Sequence, residues 1–155
     1  MKFDGIDGDV SSTGHEKWIE CQSFQFGIGR GIGSPTGSEA DRESSQPSVS
    51  EIVVSKNQDS SSRAFFSASL AGEGKKVTID FTRTKQDAGQ ETYLSIELEN
   101  TLVSGYSMSS GGDRPSESVS LNFTKITYAY TPAGADLAAG STDRGSYNLS
   151  TNEVG

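Results

Sequence analysis

The chain has 155 residues, which is enough for one domain and too few for two of ordinary size. Its 13 Lys and Arg against 21 Asp and Glu give a formal net charge of −8, which argues against binding to nucleic acid or to an anionic membrane surface, because both require a basic face. Only 32% of the residues are apolar, whereas 26 are Ser and 18 are Gly, so the composition indicates an acidic, loop-rich and β-rich domain.

The first 48 residues predict two strands and a long loop. Residues 2–9 predict a short strand. Residues 15–28 predict a long one, in which Trp18 and Phe24 have one parity and Ile19 has the other. A strand that is apolar on both sides is central in its sheet or lies between two packed layers. Residues 29–48 are rich in Gly, Ser, Pro and charge, which predicts an exposed loop that is longer than compact domains usually carry.

The next segment predicts one strand and the only helix. Residues 49–56 are typical of a strand around Ile52 and Val54. Asp59 and the serines after it can cap free amides, so we expect a short helix that continues through Phe65 and ends at Gly72 or Gly74.

The C-terminal half predicts antiparallel strands. Apolar and polar residues alternate over residues 77–82 and 94–99, which is typical of half-buried strands. Apolar parity changes within residues 119–130, so we expect a β-bulge near Thr124–Lys125 or a transfer of burial from one face to the other. Residues 147–149 predict a last short strand. The chain therefore predicts an all-β fold: a two-sheet antiparallel β-barrel or sandwich with one short flanking α-helix, forming a single domain over residues 1–155.

Residues that could support catalysis or bind a metal are scarce. His15 is the only histidine, and Cys21 lies in an apolar strand pattern that favours a small buried residue over a nucleophile. The spacing of Asp7 fails the calcium-loop pattern, because position 12 of such a loop would be Trp18. We therefore expect no catalytic residue, no metal site and no cofactor.

The first residues do not resemble a targeting signal. The sequence becomes acidic at Asp4 and contains no apolar core of the kind a secretory signal peptide needs. We expect the chain to fold in the cytoplasm, and any export to use another machine.

Four blocks of sequence, in order, resemble the haemolysin-coregulated protein (Hcp) family, which forms the inner tube of bacterial type VI secretion systems. The first two are Gly14–Glu20 with Ser23–Gly27, and Val53–Lys56 with Asp59 and Ser61–Ser62. The remaining blocks are Leu102–Ser107, and Pro115 and Glu117 followed by Leu121–Ile126, Tyr128 and Tyr130. The sequence departs from the family pattern at Arg63, where Pro is expected.

The resemblance implies a mechanical role. It implies a β-barrel that assembles into hexameric rings, which stack head to tail into a hollow tube inside a contractile sheath. The tube would be propelled out of the cell with its spike protein and would carry effectors, without a signal peptide. In such an assembly we expect the loop 29–48 to contact the adjacent ring through the charged residues Arg30, Glu39, Asp41, Arg42 and Glu43.

Two other classes of function stay open at this point. A secreted β-sandwich that binds carbohydrate could use aromatic stacking platforms, and the candidates are Trp18, Tyr93, Tyr106, Tyr128 and Tyr130. Core packing is the commoner explanation for aromatics within alternating strands. An enzyme of unknown type is the third class.

Overall fold

The fold is described by a computed structural model that covers residues 1–33, 45–85, 89–132 and 142–155. Within these ranges the chain forms eleven strands and one helix. The strands are β1 (Lys2–Phe3), β2 (Ser23–Gln25), β3 (Ile28–Gly29), β4 (Ser48–Val49), β5 (Ile52–Asn57), β6 (Lys75–Thr84), β7 (Gln90–Ser109), β8 (Ser116–Asn122), β9 (Lys125–Tyr130), β10 (Asp143–Asn148) and β11 (Glu153–Val154). The helix is α1 (Ser62–Leu70).

Two antiparallel sheets share the long strand β7. Its first half pairs with β6 on one side and with β9 on the other, and β1, β10 and β11 extend that sheet. Its second half pairs with β8, and β5 and β2 follow in order. The strands β3 and β4 form a separate two-stranded ribbon. The all-β prediction with one flanking helix is confirmed.

Irregularities in β7 let one strand serve both sheets. Asn100 has a φ of 49°, and the β6–β7 register shifts beside it. The β7–β8 register shifts again between Val103 and Gly105, so Ser104 is an extra residue on β7. Bulges of this kind bend a strand and increase its twist.

The core lies between the two sheets and is formed by alternate residues of the paired strands. Val77 lies opposite Leu98 in one sheet, and Val54 lies opposite Val119 in the other; all four are fully buried. Burial of one such side chain contributes about 1.5–3 kcal/mol. The helix adds Phe65, whose ring meets that of Phe3 edge-on at 5.7 Å between centroids.

The first turn of the helix is closed by reciprocal hydrogen bonds between its sequence neighbours. The backbone N–H of Ser61 donates to the Asp59 carboxylate at 2.9 Å, and the backbone N–H of Asp59 donates to the Ser62 hydroxyl at 2.9 Å. These bonds order the turn that leads into the helix, whereas the N-cap residue Ser61 makes no side-chain capping hydrogen bond. The helix begins within the predicted segment and ends at Leu70, just before the predicted Gly72.

The predicted long strand over residues 15–28 is wrong. Only Ser23–Gln25 and Ile28–Gly29 are strands in this segment, and the chain turns at Lys17, which has a φ of 64°. The residues before β2 instead form backbone hydrogen bonds with nearby residues and with the start of the chain. The Ile19 N–H donates to the Met1 carbonyl at 2.7 Å, and the Met1 amino group donates to the Ile19 carbonyl at 2.7 Å.

The predicted parity change within residues 119–130 is a break between strands, and no bulge lies there. Strand β8 ends at Asn122 and β9 begins at Lys125. Strands β8 and β9 pair with successive parts of β7 along the same edge, so the transfer of burial from one face to the other, the second expected alternative, occurs where the chain passes from the second sheet to the first. The predicted strand at residues 2–9 is also shorter than expected, since β1 ends at Phe3.

Candidate functional site

A buried ion cluster joins the helix to the second sheet. The Lys56 Nζ lies 2.7 Å from Glu117 Oε2 and 2.8 Å from Asp59 Oδ1, and the side chains of Lys56 and Glu117 are fully buried. The two residues are direct cross-strand partners of β5 and β8. The Lys56 cation lies between the two carboxylates, and its attraction to them offsets the free-energy cost of removing these charged groups from water.

Neutral groups complete the cluster. The Tyr106 hydroxyl donates to Glu117 Oε1 at 2.6 Å, and the Ser62 hydroxyl donates to Glu117 Oε2 at 2.9 Å. Burial, together with the hydrogen bond to Glu117 and its negative charge, raises the pKa of Tyr106 from 10.0 to about 12. The cluster thus fixes α1 against strands β5, β7 and β8, which indicates a structural role.

The sequence contained a signal for this cluster. Lys56 shares the parity of the buried Ile52 and Val54, and Glu117 shares that of the buried Val119. A charged residue at an inward-facing position of an alternating strand has to find a partner. Neither residue was predicted to belong to a buried cluster, because the strand patterns were interpreted from their apolar members.

His15 is held in a second polar group on the first sheet. Its Nε2 lies 2.9 Å from Asp80 Oδ2, and Ser95 and Thr92 donate to the same carboxylate at 2.7 and 3.2 Å. The His15 ring meets Trp18 edge-on at 4.5 Å. The Nδ1 atom is buried and has no hydrogen-bond partner among the described residues. These contacts attach residues 15–18 to β6 and β7.

Cys21 does not have the properties of a nucleophile. It is half-buried, and its Sγ lies 3.8 Å from the Ile19 carbonyl. Burial raises the pKa of the thiol above its ordinary value, which keeps it protonated at neutral pH. In the described part of the chain no three His, Cys, Asp or Glu side chains come together as a metal site.

A cleft of about 600 Å³ lies between strands β2 and β6. Its lining includes the aromatic residues Trp18, Phe24 and Phe81 and the acidic residues Asp9, Glu20 and Asp80. The rings of Phe24 and Phe81 meet edge-on at 5.2 Å. Its volume is in the range of pockets that hold ligands.

The predicted loop 29–48 is only partly described. Arg30 is exposed next to β3, whereas Glu39, Asp41, Arg42 and Glu43 lie outside the described residues. The β3–β4 ribbon supports this loop at its base, and its Ile28 is 59% exposed.

The aromatic candidates for carbohydrate stacking are mostly engaged in the fold. Trp18 contacts His15, Tyr93 lies against Phe81 and Arg83, and Tyr106 donates to Glu117. The other two, Tyr128 and Tyr130, are 49% and 40% exposed. Within the described ranges, no helix is long and apolar enough to cross a membrane.

Comparison with known proteins identifies a family. The family profile described as "Type VI secretion system effector, Hcp" matches residues 1–130. Among solved structures, "a type six secretion system protein" is 25% identical, with 99% of this chain and 96% of that chain covered and a TM-score of 0.86. Hcp1 from Salmonella typhimurium is 22% identical over 99% of this chain and 95% of its own, with a TM-score of 0.76. A type VI secretion system effector from Yersinia pestis is 20% identical over 95% and 96%, with a TM-score of 0.72. No curated protein sequence gives a significant match.

Proposed function

The chain belongs to the Hcp family of type VI secretion proteins, and from this we propose that it is a tube subunit that closes into six-membered rings, which stack into a hollow tube. The observation that carries the proposal is the pair of unlike free edges on the second sheet. A closed ring of identical subunits needs two different surfaces that fit one another.

The two edges lie on opposite sides of four strands. Among the described residues, β2 pairs with β5 alone, and the second half of β7 pairs with β8 alone. Unpaired strand edges expose backbone donors and acceptors that another chain can use. We propose that the β2 edge of one subunit joins the β7 edge of the next, so that the sheet continues around the ring.

Exposed apolar side chains beside one of these edges support the same proposal. Phe66 of α1 is 53% exposed, and its ring contacts Tyr106 on the second half of β7 at 6.4 Å. Met108, on the same half of β7, is 51% exposed. A neighbouring subunit on this edge would cover both and remove apolar surface from water.

We propose that the loop 29–48 makes the contact between rings. Its charged residues Arg30, Glu39, Asp41, Arg42 and Glu43 would face the adjacent ring. Deletion of residues 34–46 should leave rings intact and abolish long tubes. Full-length tubes from the deletion variant would refute this role for the loop.

The remaining partners follow from membership in the secretion system. We propose that the tube lies inside a contractile sheath, is tipped by a spike protein, carries effectors and leaves the cell through the secretion system. The proposal includes no catalytic step for the subunit. The structural role of the buried ion cluster is consistent with this.

Disulfide trapping tests the ring directly. In a Cys21→Ala background, Gln25→Cys on β2 would be combined with Ser107→Cys on β7. The two positions lie on opposite sides of a four-stranded sheet, about 14 Å apart at ordinary strand spacing, so they cannot bridge within one subunit. We expect oxidation to give a ladder on non-reducing gels that ends at six subunits.

Particle mass and shape provide the independent measurement. Light scattering should give six subunits, and negative-stain images should show rings with a central hole. In the disulfide experiment, each variant with only one of the two introduced cysteines is the control. Its oxidised products should be no larger than dimers. A strict monomer at high protein concentration would overturn the proposal.

A further inference from the structure

A row of serines crosses the whole width of the second sheet. From β2 through β5 and β8 to β7, the direct cross-strand partners are Ser23, Ser55, Ser118 and Ser107. Cross-strand partners project on the same side of a sheet, so the four hydroxyls share one face. On β8 the next residue, Val119, points the other way and is fully buried, so the row lies on the face away from the core.

The rest of this face is also without charge. One neighbouring row contains Val53, Ser120 and Gly105, and the other contains Asn57, Ser116 and Ser109. Within the described ranges none of the strand residues on this face is charged, whereas 22% of the whole chain is. We call this solvent-facing side of β2, β5, β8 and the second half of β7 the serine face.

The solvent face of the first sheet is different. It carries an ion pair between Lys76 and Glu97, whose Nζ and Oε2 atoms lie 2.8 Å apart, and a second between Lys125 and Glu99 at 3.2 Å. Charged residues are common on the wet face of an antiparallel sheet. The absence of charge is therefore a property of the second sheet and does not extend to the first.

The exposed charges nearest the serine row lie beyond the ends of the strands. Glu51 precedes β5, and its carboxylate accepts a hydrogen bond from the Ser104 hydroxyl. Asp113 and Arg114, which have opposite charges, precede β8 at the other end. Along an extended strand, Glu51 and Arg114 are each about 13 Å from the row, which exceeds the screening length of about 8 Å at physiological ionic strength.

Two further groups of charges lie behind the face. Asp9 and Glu20 line a small cleft with Arg114 beyond the end of β5, so that end of the sheet is acidic. Beneath the row, the buried Lys56 and Glu117 neutralise each other, because their Nζ and Oε2 atoms lie only 2.7 Å apart. The centre of the serine face is therefore neutral, and the negative charge lies at its rim.

In the proposed ring the serine face points toward the axis. The first sheet packs on the opposite, buried side of the second sheet, and α1 is bound to that side through Ser62 and Glu117. A ring has more room outside than inside, so the bulk of each subunit lies outward. Six subunits with four strands each would line a channel with 24 strands, which gives a diameter of about 37 Å between backbones before strand tilt widens it.

We propose that the serine face is the wall of this channel and lets protein cargo of either charge sign pass. The inference rests on the proposed ring. A cavity lined by charges of one sign concentrates their field, so it excludes cargo of the same sign and retains cargo of the opposite sign. Serine hydroxyls are neutral and both donate and accept hydrogen bonds, so this wall does neither, although the chain has a net charge of −8.

Streptavidin access tests which face lines the channel. In a Cys21→Ala background, Ser118→Cys on the serine face and Thr127→Cys on the solvent face of the first sheet would each be labelled with a short biotin maleimide. Streptavidin is wider than the channel. We expect it to bind biotin at both positions in dilute monomers, and only at position 127 in hexamers.

Charge selection is measured by covalent capture in hexamers of the Ser118→Cys protein. The probes are two maleimide peptides, Gly-Ser-Glu-Gly-Ser-Glu and Gly-Ser-Lys-Gly-Ser-Lys, at physiological ionic strength. Each capture rate is divided by the rate of the same peptide with the neutral thiol N-acetylcysteine amide. We expect the corrected rates of the acidic and basic peptides to agree within about threefold.

A matched pair of variants at Ser120 verifies that the measurement is sensitive to wall charge. Ser120 lies two residues from Ser118 on the same face of β8. Adding Ser120→Asp places six carboxylates in the wall, and we expect the basic peptide to react about tenfold faster than the acidic one. Ser120→Asn has nearly the same shape without the charge and should leave the two rates alike. Light scattering verifies that each variant is hexameric.

Two results would overturn the inference. One is streptavidin binding at position 118 that is as complete in hexamers as in monomers. The other is a difference above about threefold between the two peptides in Ser118→Cys hexamers, with Ser120→Asp changing that ratio. Both results require hexamers, so they refute the neutral wall alone. A chain that forms no hexamer would refute the ring, and the channel with it.

Discussion

Lys56 and Glu117 are 61 residues apart in the chain, yet their Nζ and Oε2 atoms lie 2.7 Å apart with both side chains fully buried. The pair aligns β5 with β8 and connects both strands to the start of α1 through Asp59 and Ser62. A change in the β5–β8 register would separate the two side chains and leave the buried carboxylate of Glu117 without its cation. The pair therefore favours one register over all others.

Removal of the buried cation should destabilise the fold strongly. Lys56→Met leaves the buried carboxylate of Glu117 without its cation, and we expect a loss of about 3–5 kcal/mol in the free energy of unfolding. Urea denaturation followed by circular dichroism measures it. The control is Lys125→Met, because the Lys125–Glu99 pair is exposed and should contribute less than about 1 kcal/mol. Similar losses for both variants would contradict the buried role.

Replacement of both members of the pair should cost less than the sum of the single losses. The double variant Lys56→Met with Glu117→Leu leaves no unpaired charge from this pair, so part of the penalty disappears. A double-mutant cycle of urea denaturation curves measures the coupling. Strict additivity would show that the two residues act independently.

Removal of the Tyr106 hydroxyl should change how stability depends on pH. The pKa of Tyr106 in the folded protein is about 12 and its ordinary value is 10.0, so the unfolded chain loses this proton first. The contribution of the hydroxyl is complete below about pH 10 and is lost as the pH rises toward about 12. The stability advantage of the parent over Tyr106→Phe should shrink across that window.

Denaturation in urea at a series of pH values measures this advantage. Tyr130→Phe is the control, because Tyr130 is 40% exposed and no hydrogen bond to its hydroxyl is present among the described residues. Its stability should stay close to that of the parent at neutral pH. A difference between the parent and Tyr106→Phe that does not change with pH would contradict the raised pKa of Tyr106.

Gly8 should be intolerant of any side chain. A Cβ at this position would overlap the Trp18 carbonyl oxygen and come within 2.7 Å of the Ile19 Cα, both of which are backbone atoms. We expect Gly8→Ala to cost about 1–3 kcal/mol and to alter Trp18 fluorescence in the folded state. The matched variant is Gly29→Ala, whose Cβ would meet no atom within 4 Å and should change stability by less than about 0.5 kcal/mol. Equal stability of the two variants would refute the close approach.

Ring stacking should strengthen with added salt. Six copies of a chain with a net charge of −8 would carry about −48, and this repulsion is screened over about 8 Å at physiological ionic strength. Sedimentation of tubes across a series of salt concentrations measures the effect. Stacking that weakens steadily with salt would instead indicate that ion pairs hold the rings together.

The parts of the fold that the sequence predicts well are those with local causes. Alternation over residues 77–82 and 94–99 predicted β6 and the start of β7, and the Asp59–Ser62 segment predicted the helix start. The N-terminal segment was mispredicted because its hydrogen bonds go to Met1, Gly8 and Val10, and because Lys17 turns the chain. No local pattern contains that information.

In the candidate sites, too, some features are indicated by the sequence and others depend on the fold. The inward parity of Lys56 and Glu117 was visible in the sequence, but their pairing depends on the β5–β8 register, which only the fold supplies. Sequence therefore indicates which residues require partners, and topology determines the partners.

The sharing of β7 by both sheets has a consequence for how the protein unfolds. Neither sheet can lose this strand without disrupting the other, because residues 94–99 pair with β6 and β9 while residues 102–109 continue directly into the pairing with β8. The two halves of the barrel are therefore expected to melt in one cooperative transition. Hydrogen exchange should find the amides of β6, β8 and β9 protected to a similar degree, as members of one unfolding unit.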